Sequence, residues 1–193
     1  MKTRILTLIF ALTAMLTFAQ TSKHLSFKST PIDGTLDEYV AKMKQNGFTH
    51  LGTENGTALL SGDFAGYKSC IVGVSTLKQK DLVHKIAVIF PEKETWSTLF
   101  NNYSDLKEML TEKYGKPSDI LEKFDTYTPP DNDDSKMYQV KFDRCKFHSI
   151  YETENGTIEL SIDHDGVTSC YVRLAYFDKI NSEIIKEKAK GDL

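Results

Sequence analysis

Thr53–Val72 reads TENGTALLSGDFAGYKSCIV, and Thr153–Val172 reads TENGTIELSIDHDGVTSCYV, one hundred positions later and without a gap. Twelve of the 20 positions are identical. Asn55-Gly56 and Asn155-Gly156 are the pair preferred in a two-residue type I′ turn, where both central residues need positive φ. The alternating apolar residues on either side predict strands. The stretch therefore predicts an antiparallel hairpin unit, and its recurrence predicts a doubled architecture.

Register assigns the faces. A two-residue turn at Asn155-Gly156 sets Tyr151 opposite Leu160, and a three-residue loop His164-Asp165-Gly166 sets Leu160 opposite Cys170. Phe147, Tyr151, Ile158, Leu160, Ile162, Cys170, Val172, Leu174 and Tyr176 then share one face. A loop one residue shorter would move Cys170 and Val172 to the other face and mix the pattern. The first copy puts Ala58, Leu60, Cys70, Val72 and Val74 on the equivalent apolar face. The opposite face carries His148, Ile150, Glu159, Ser161, Tyr171 and Arg173, with Ile71 standing where the second copy has Tyr171.

Outward from the first copy, Thr35 and Glu38 form a capping-box pair. Leu36, Tyr39, Val40 and Met43 follow at helical spacing, and Asn46-Gly47 is a left-handed stop. Leu36–Gln45 is therefore an amphipathic helix, and the β-branched run Leu82–Phe90 is a strand. A second helix runs from Trp96 to Tyr114 and ends at Gly115-Lys116-Pro117. The helix stops Gly47 and Gly115 lie 68 residues apart, whereas the hairpins lie 100 apart, so about 32 residues are inserted in the second unit. That insert predicts a further strand pair, Ile120–Tyr127 and Met137–Phe142, joined by a polar loop at Thr128–Ser135. Lys179–Ala189 predicts a closing helix with lysines in its last turn, where they oppose the dipole. The fold expected is α+β, with two degenerate helix-plus-antiparallel-strand repeats (24–92 and 93–193) forming one domain and helices on one face of the sheet.

Residues 1–19 have the three-part pattern of a secretory signal peptide: Lys2 and Arg4, the apolar run Ile5–Phe18, then small residues before Gln20. No further run of about 20 apolar residues follows, so no membrane span is expected in the mature form, residues 20–193. Removing Lys2 and Arg4 leaves 22 basic against 27 acidic residues. An acidic chain without a basic stripe has no electrostatic grip on nucleic acid. The expected location is periplasmic or secreted.

Three cysteines cannot all pair in an oxidising compartment. Cys70 and Cys170 occupy equivalent positions, which leaves open both a disulfide between them and two buried thiols. Asp131–Ser135 has the acidic start of a calcium loop but lacks its glycine and closing glutamate. Asp163-His164-Asp165 with His148 is a conceivable metal set, but the first copy has Asp63-Phe64-Ala65 in its place. The five histidines lack zinc-type spacing, and no nucleophile elbow or phosphate loop occurs. No metal, cofactor or catalytic residue is expected, and the chain does not read as an enzyme.

The layout of two helix-plus-strand units in an exported chain of this size resembles the β-lactamase inhibitor protein and related small periplasmic α+β proteins. The phrases LKEMLTEKYGKP (Leu106–Pro117) and IYETENGTIEL (Ile150–Leu160) are similar to those of secreted proteins of Gram-negative gut bacteria. The resemblance implies a concave sheet surface that grips a target enzyme, and one disulfide in each unit. Three cysteines depart from that last feature. Tyr and Arg are enriched where proteins bind proteins, so the expected binding surface is Tyr171, Arg173, His148, Ile150 and Ile71. The function expected is a non-catalytic binding module of the cell envelope with a protein or other macromolecular partner. The alternatives are a periplasmic hydrolase and an envelope assembly factor.

Overall fold

The computed structural model describes residues 24–77 and 80–191. The signal-peptide reading of residues 1–19 lies outside them. A short β1–β2 hairpin (Ser26–Phe27, Thr30–Pro31) leads into α1 (Leu36–Gln45). Strands β3 (Thr49–Glu54), β4 (Thr57–Phe64), β5 (Tyr67–Leu77) and β6 (Lys80–Ile89) follow, then α2 (Trp96–Tyr114). The chain continues through β7 (Asp119–Phe124), α3 (Asp133–Lys141), β8 (Cys145–Thr153), β9 (Gly156–Asp165), β10 (Ser169–Asp178) and α4 (Lys179–Gly191). Eight strands form one antiparallel sheet in the order β3-β4-β5-β6-β10-β9-β8-β7.

The sheet is built of cross-strand rows that alternate in burial, as its side-chain period of 2 requires. One row runs Leu60, Val72, Val88, Leu174, Leu160, Ser149, and every member is at most 1% exposed. Helix α1 lies against β3 to β6, and α2 and α3 lie against β8 to β10. Tyr39, Met43, Leu99 and Tyr103 are fully buried there. Tyr103 Oη and Ser149 Oγ share a 2.7 Å hydrogen bond, which satisfies the one hydroxyl in that buried row. Trp96 closes the end of this layer edge-on to Phe147, 5.1 Å between ring centroids.

The two near-identical phrases fold differently. The first turns at Asn55-Gly56 with φ of 51° and 77°, and Glu54 pairs with Thr57. In the second, Thr153 pairs with Gly156, so Glu154-Asn155 form the turn and Gly156 begins β9 with φ of 154°. Tyr151 therefore faces Ile158 instead of Leu160, a slip of two residues from the expected register. Across the next turn Leu160 faces Leu174 instead of Cys170, a slip of four.

Met137–Phe142, expected as a strand, lies mostly within α3. Asn132 caps that helix in a capping box with Ser135, and Met137 and Val140 are its buried residues. Asp133 also accepts hydrogen bonds from Ser97 N (3.0 Å) and Ser97 Oγ (2.9 Å), which holds its carboxyl below the usual range. The acidic run that resembled a calcium loop thus caps two helices. All three cysteines are free. Cys70 is on β5 and Cys170 on β10, with β6 between them. Two strand spacings of about 4.8 Å exceed the ~7 Å Cα reach of a disulfide.

Candidate functional site

The row next to the buried one is half-exposed. It runs Ser61, Ile71, Ile89, Arg173, Ser161, His148 and Leu121, one residue from each of seven strands. Three of the five expected site residues, Ile71, Arg173 and His148, share this line. Ile150 belongs to the adjoining row, between Glu159 and Asp119. Beyond Glu159 that row contains Ala175, Ala87, Gly73 and Leu59. Tyr171 stands on the other side of the line, opposite Asp163.

Ala175 is fully buried, although it lies in the half-exposed set. Burial pushes the Lys85 ammonium below its ordinary value, and the nearby Arg173 charge adds to this while Glu159 opposes it. Arg173 Nε donates to Asp163 Oδ2 at 2.8 Å. Burial also raises the Tyr171 hydroxyl, with Asp163 and Asp165 contributing in the same direction. The surface thus combines Ile71, Ile89 and Leu59 with a charged group at its centre.

Where it crosses β8, β9 and β10 the row borders a cleft of about 170 Å³, lined by Asp143, Cys145, His148, Ser161, His164 and Arg173 among others. His164 Nε2 lies 3.0 Å from Asp143 Oδ1, and Nδ1 lies 2.7 Å from the Gly166 carbonyl oxygen. Both partners can only accept, so the ring satisfies this geometry only when both nitrogens carry protons. The hydrogen bond to Asp143 accordingly raises the His164 pKa, and the same bond lowers that of Asp143.

The sign of the pH dependence follows. The His164 contribution is full below its unfolded value near 6.5 and is lost as pH rises through the raised folded value. The Asp143 contribution is present above the ordinary carboxylate range and is lost as pH falls through the lowered folded value. The pair therefore works best between roughly pH 4 and 6.5. An NMR titration should place the His164 ring above pH 6.5, and Asp143→Asn should bring it back down. An unchanged midpoint in the variant would show that the carboxylate does not set it.

His148 pairs across the strands with Ser161 and has Asp119 on its other side. His148 Nε2 is 3.6 Å from Asp119 Oδ2, outside hydrogen-bond range, and the buried Ser161 Oγ makes no hydrogen bond among the described residues. The serine–base bond that activates a nucleophile is not formed. Cys145 nearby is a poor nucleophile, because burial pushes its thiol up to about 12. Among the described residues, no group of three or more His, Cys, Asp or Glu side chains is placed to hold a metal. His148, Asp163 and His164 share the cleft without converging as ligands.

Sequence reasoning named Arg173 and His148, which the structure places in one cleft lining, and did not name Asp143 as the partner of His164. The two are 21 residues apart, and Asp143 sits in a left-handed position after α3 (φ 59°). With that region read as a strand, nothing in the sequence placed it beside the β9–β10 turn. No protein-family model, curated protein or solved structure matches the chain. No described helix is long and apolar enough to cross a membrane.

Proposed function

We propose that this chain is an exported, non-catalytic binding module of the cell envelope, and that the half-exposed sheet face docks a protein or other macromolecule. The observation that carries the reading is the line Ile71–Ile89–Arg173–Ser161–His148, with Tyr171 and Ile150 flanking it. It offers an apolar stretch, an aromatic side chain and a tethered guanidinium on one continuous surface. These are the side-chain types on which protein interfaces concentrate their affinity.

The chain is best understood as an ancient doubling: two helix-and-strand units join at the β6–β10 seam, with helices on a single face. The leader at Met1–Ala19 would deliver the protein to the periplasm or outside. The resemblance in layout to the β-lactamase inhibitor protein points the same way, since that family also binds through its sheet surface. The test is Tyr171→Ala combined with Arg173→Ala, followed by capture from envelope extract. The double variant should keep its fold and unfolding midpoint, because both side chains are partly exposed. Its capture of partner should fall by at least about tenfold. Undiminished capture would remove this face from the reading.

A further inference from the structure

A second concavity shares no lining residue with the Asp143–His164 cleft. It has a volume of about 510 Å³, within the range of small-molecule sites. Its walls come from the β1–β2 hairpin, the last turn of α2, the β4–β5 turn region, the β8–β9 turn and β10. Leu25, Phe64, Tyr114 and Tyr176 supply apolar surface, and Lys28 and Lys113 supply charge. No acidic residue lines it, although the chain as a whole carries three more acidic than basic residues.

Lys28 Nζ lies 5.0 Å from the Phe48 ring centroid and, among the described residues, donates to the Asp63 carbonyl alone, at 3.3 Å. Lys113 Nζ lies 4.9 Å from the Tyr114 ring centroid. Neither lysine is in an ion pair with a carboxylate among the described residues.

Tyr176 is the decisive side chain. It is only 5% exposed, it lines the cleft, and its hydroxyl makes no hydrogen bond among the described residues. The hydroxyl is not one of the fully buried polar atoms left without a partner among the described residues, so it meets the water of the cleft and is free to donate to a ligand that displaces that water. The rim adds backbone strain. Lys28 and Ser29 both take left-handed conformations, with φ of 46° and 62°, in a turn where Asn-Gly would sit more easily. Strain of this kind recurs where a side chain must be presented in a particular direction.

We propose that this cleft is a binding site for a small organic carboxylate with an apolar body. The carboxylate would lie between Lys28 and Lys113 and accept from the Tyr176 hydroxyl, and the apolar part would pack on Phe64, Leu25 and the Tyr114 ring. The site is separate from the sheet face and stands or falls independently of it.

Isothermal titration calorimetry on the purified protein, with 3-phenylpropionate and decanoate as probes, tests this. 3-Phenylpropionamide and decanol serve as the uncharged controls. At least one carboxylate should bind saturably at one site, and its uncharged control should bind at least about tenfold more weakly. The better probe tells whether the body is aromatic or aliphatic. Tyr176→Phe should weaken the carboxylate about three- to tenfold without lowering the unfolding midpoint, since the deleted hydroxyl has no partner to lose. Lys113→Gln, an exposed substitution that should not disturb folding, should weaken it by a similar factor. Lys28→Asn with Ser29→Gly should raise the unfolding midpoint while weakening the probe, because it relieves the turn and removes the charge. Absence of saturable binding by both carboxylates, equal binding of the uncharged controls, or unchanged affinity in both Tyr176→Phe and Lys113→Gln would overturn the proposal.

Discussion

Gly156→Ala is expected to destabilise the protein by roughly 4 kcal/mol, whereas Gly66→Ala should cost only about 1 kcal/mol. Both glycines have positive φ, 154° and 83°, so backbone strain alone would not separate them. Their surroundings do. A Cβ on Gly66 meets nothing within 4 Å, so that substitution carries only the conformational penalty. A Cβ on Gly156 would sit 2.1 Å from the Phe177 carbonyl oxygen, 3.1 Å from its carbon and 3.2 Å from Lys179 N. These are backbone atoms at the β10–α4 junction and cannot swing aside as a side chain would. The same junction is clamped by the hydrogen bond from Lys179 N to Asn155 O at 3.0 Å. Relief therefore requires β9 to part from β10 or α4 to lift away. Urea unfolding of the two variants under one set of conditions reads the difference as a gap in midpoint. Equal midpoints would mean that the start of β9 yields easily and that the close approach is not binding on the fold.

That prediction is invisible in the sequence, where Asn55-Gly56 and Asn155-Gly156 are the same words. The twist turns on what stands next to the second hairpin: β10 runs directly into α4, while β5 runs on to the β6 side of the sheet. The faces were nevertheless legible. The register slips of two and four residues are both even, and a strand's side chains alternate with a period of 2, so each residue stays on its expected side. Ala58, Leu60, Cys70, Val72 and Val74 are all fully buried as the pattern required.

Helix α3 was not legible because it buries only Met137 and Val140, leaving Tyr138 and Phe142 exposed. An apolar stripe so thin does not outweigh a β-rich reading. The signal that does is the Asn132–Ser135 capping box, in a run whose acidic residues match only the start of a calcium loop. The lysine-lined cleft was illegible for another reason. Tyr176 reads as an ordinary core residue of β10, and nothing in the sequence brings Lys28 near Lys113.

Asp178→Ala should have the other large effect, a loss of roughly 3–5 kcal/mol. Asp178 is fully buried and accepts from Leu25 N at 2.8 Å, Asn181 N at 2.8 Å and His24 Nδ1 at 3.1 Å. Two of these donors are backbone groups with no freedom to find water, and each left unsatisfied costs about 1–3 kcal/mol. The carboxylate also caps α4, whose Asn181 side chain donates to Ile32 O (3.1 Å), Val83 O (2.8 Å) and Asp33 Oδ1 (3.2 Å). Asp178 and the Asn181 it holds thus fasten the β1–β2 hairpin, β6 and α4 together across 154 residues of chain. Asp178→Asn keeps one acceptor oxygen and should lose clearly less than the alanine variant. Hydrogen exchange gives the sharper readout: in Asp178→Ala the Leu25 and Asn181 amides should exchange far faster while the amides of β9 keep their protection. Uniform loss of protection would indicate that the group supports the whole sheet, and a midpoint shift under about 0.5 kcal/mol would show that water replaces it without penalty. Because Leu25 and His24 are also walls of the carboxylate cleft, the alanine variant should lose probe binding at temperatures where the sheet is still folded. In that respect the hairpin would act as a detachable wall, held by one aspartate and removable without dismantling the sheet face.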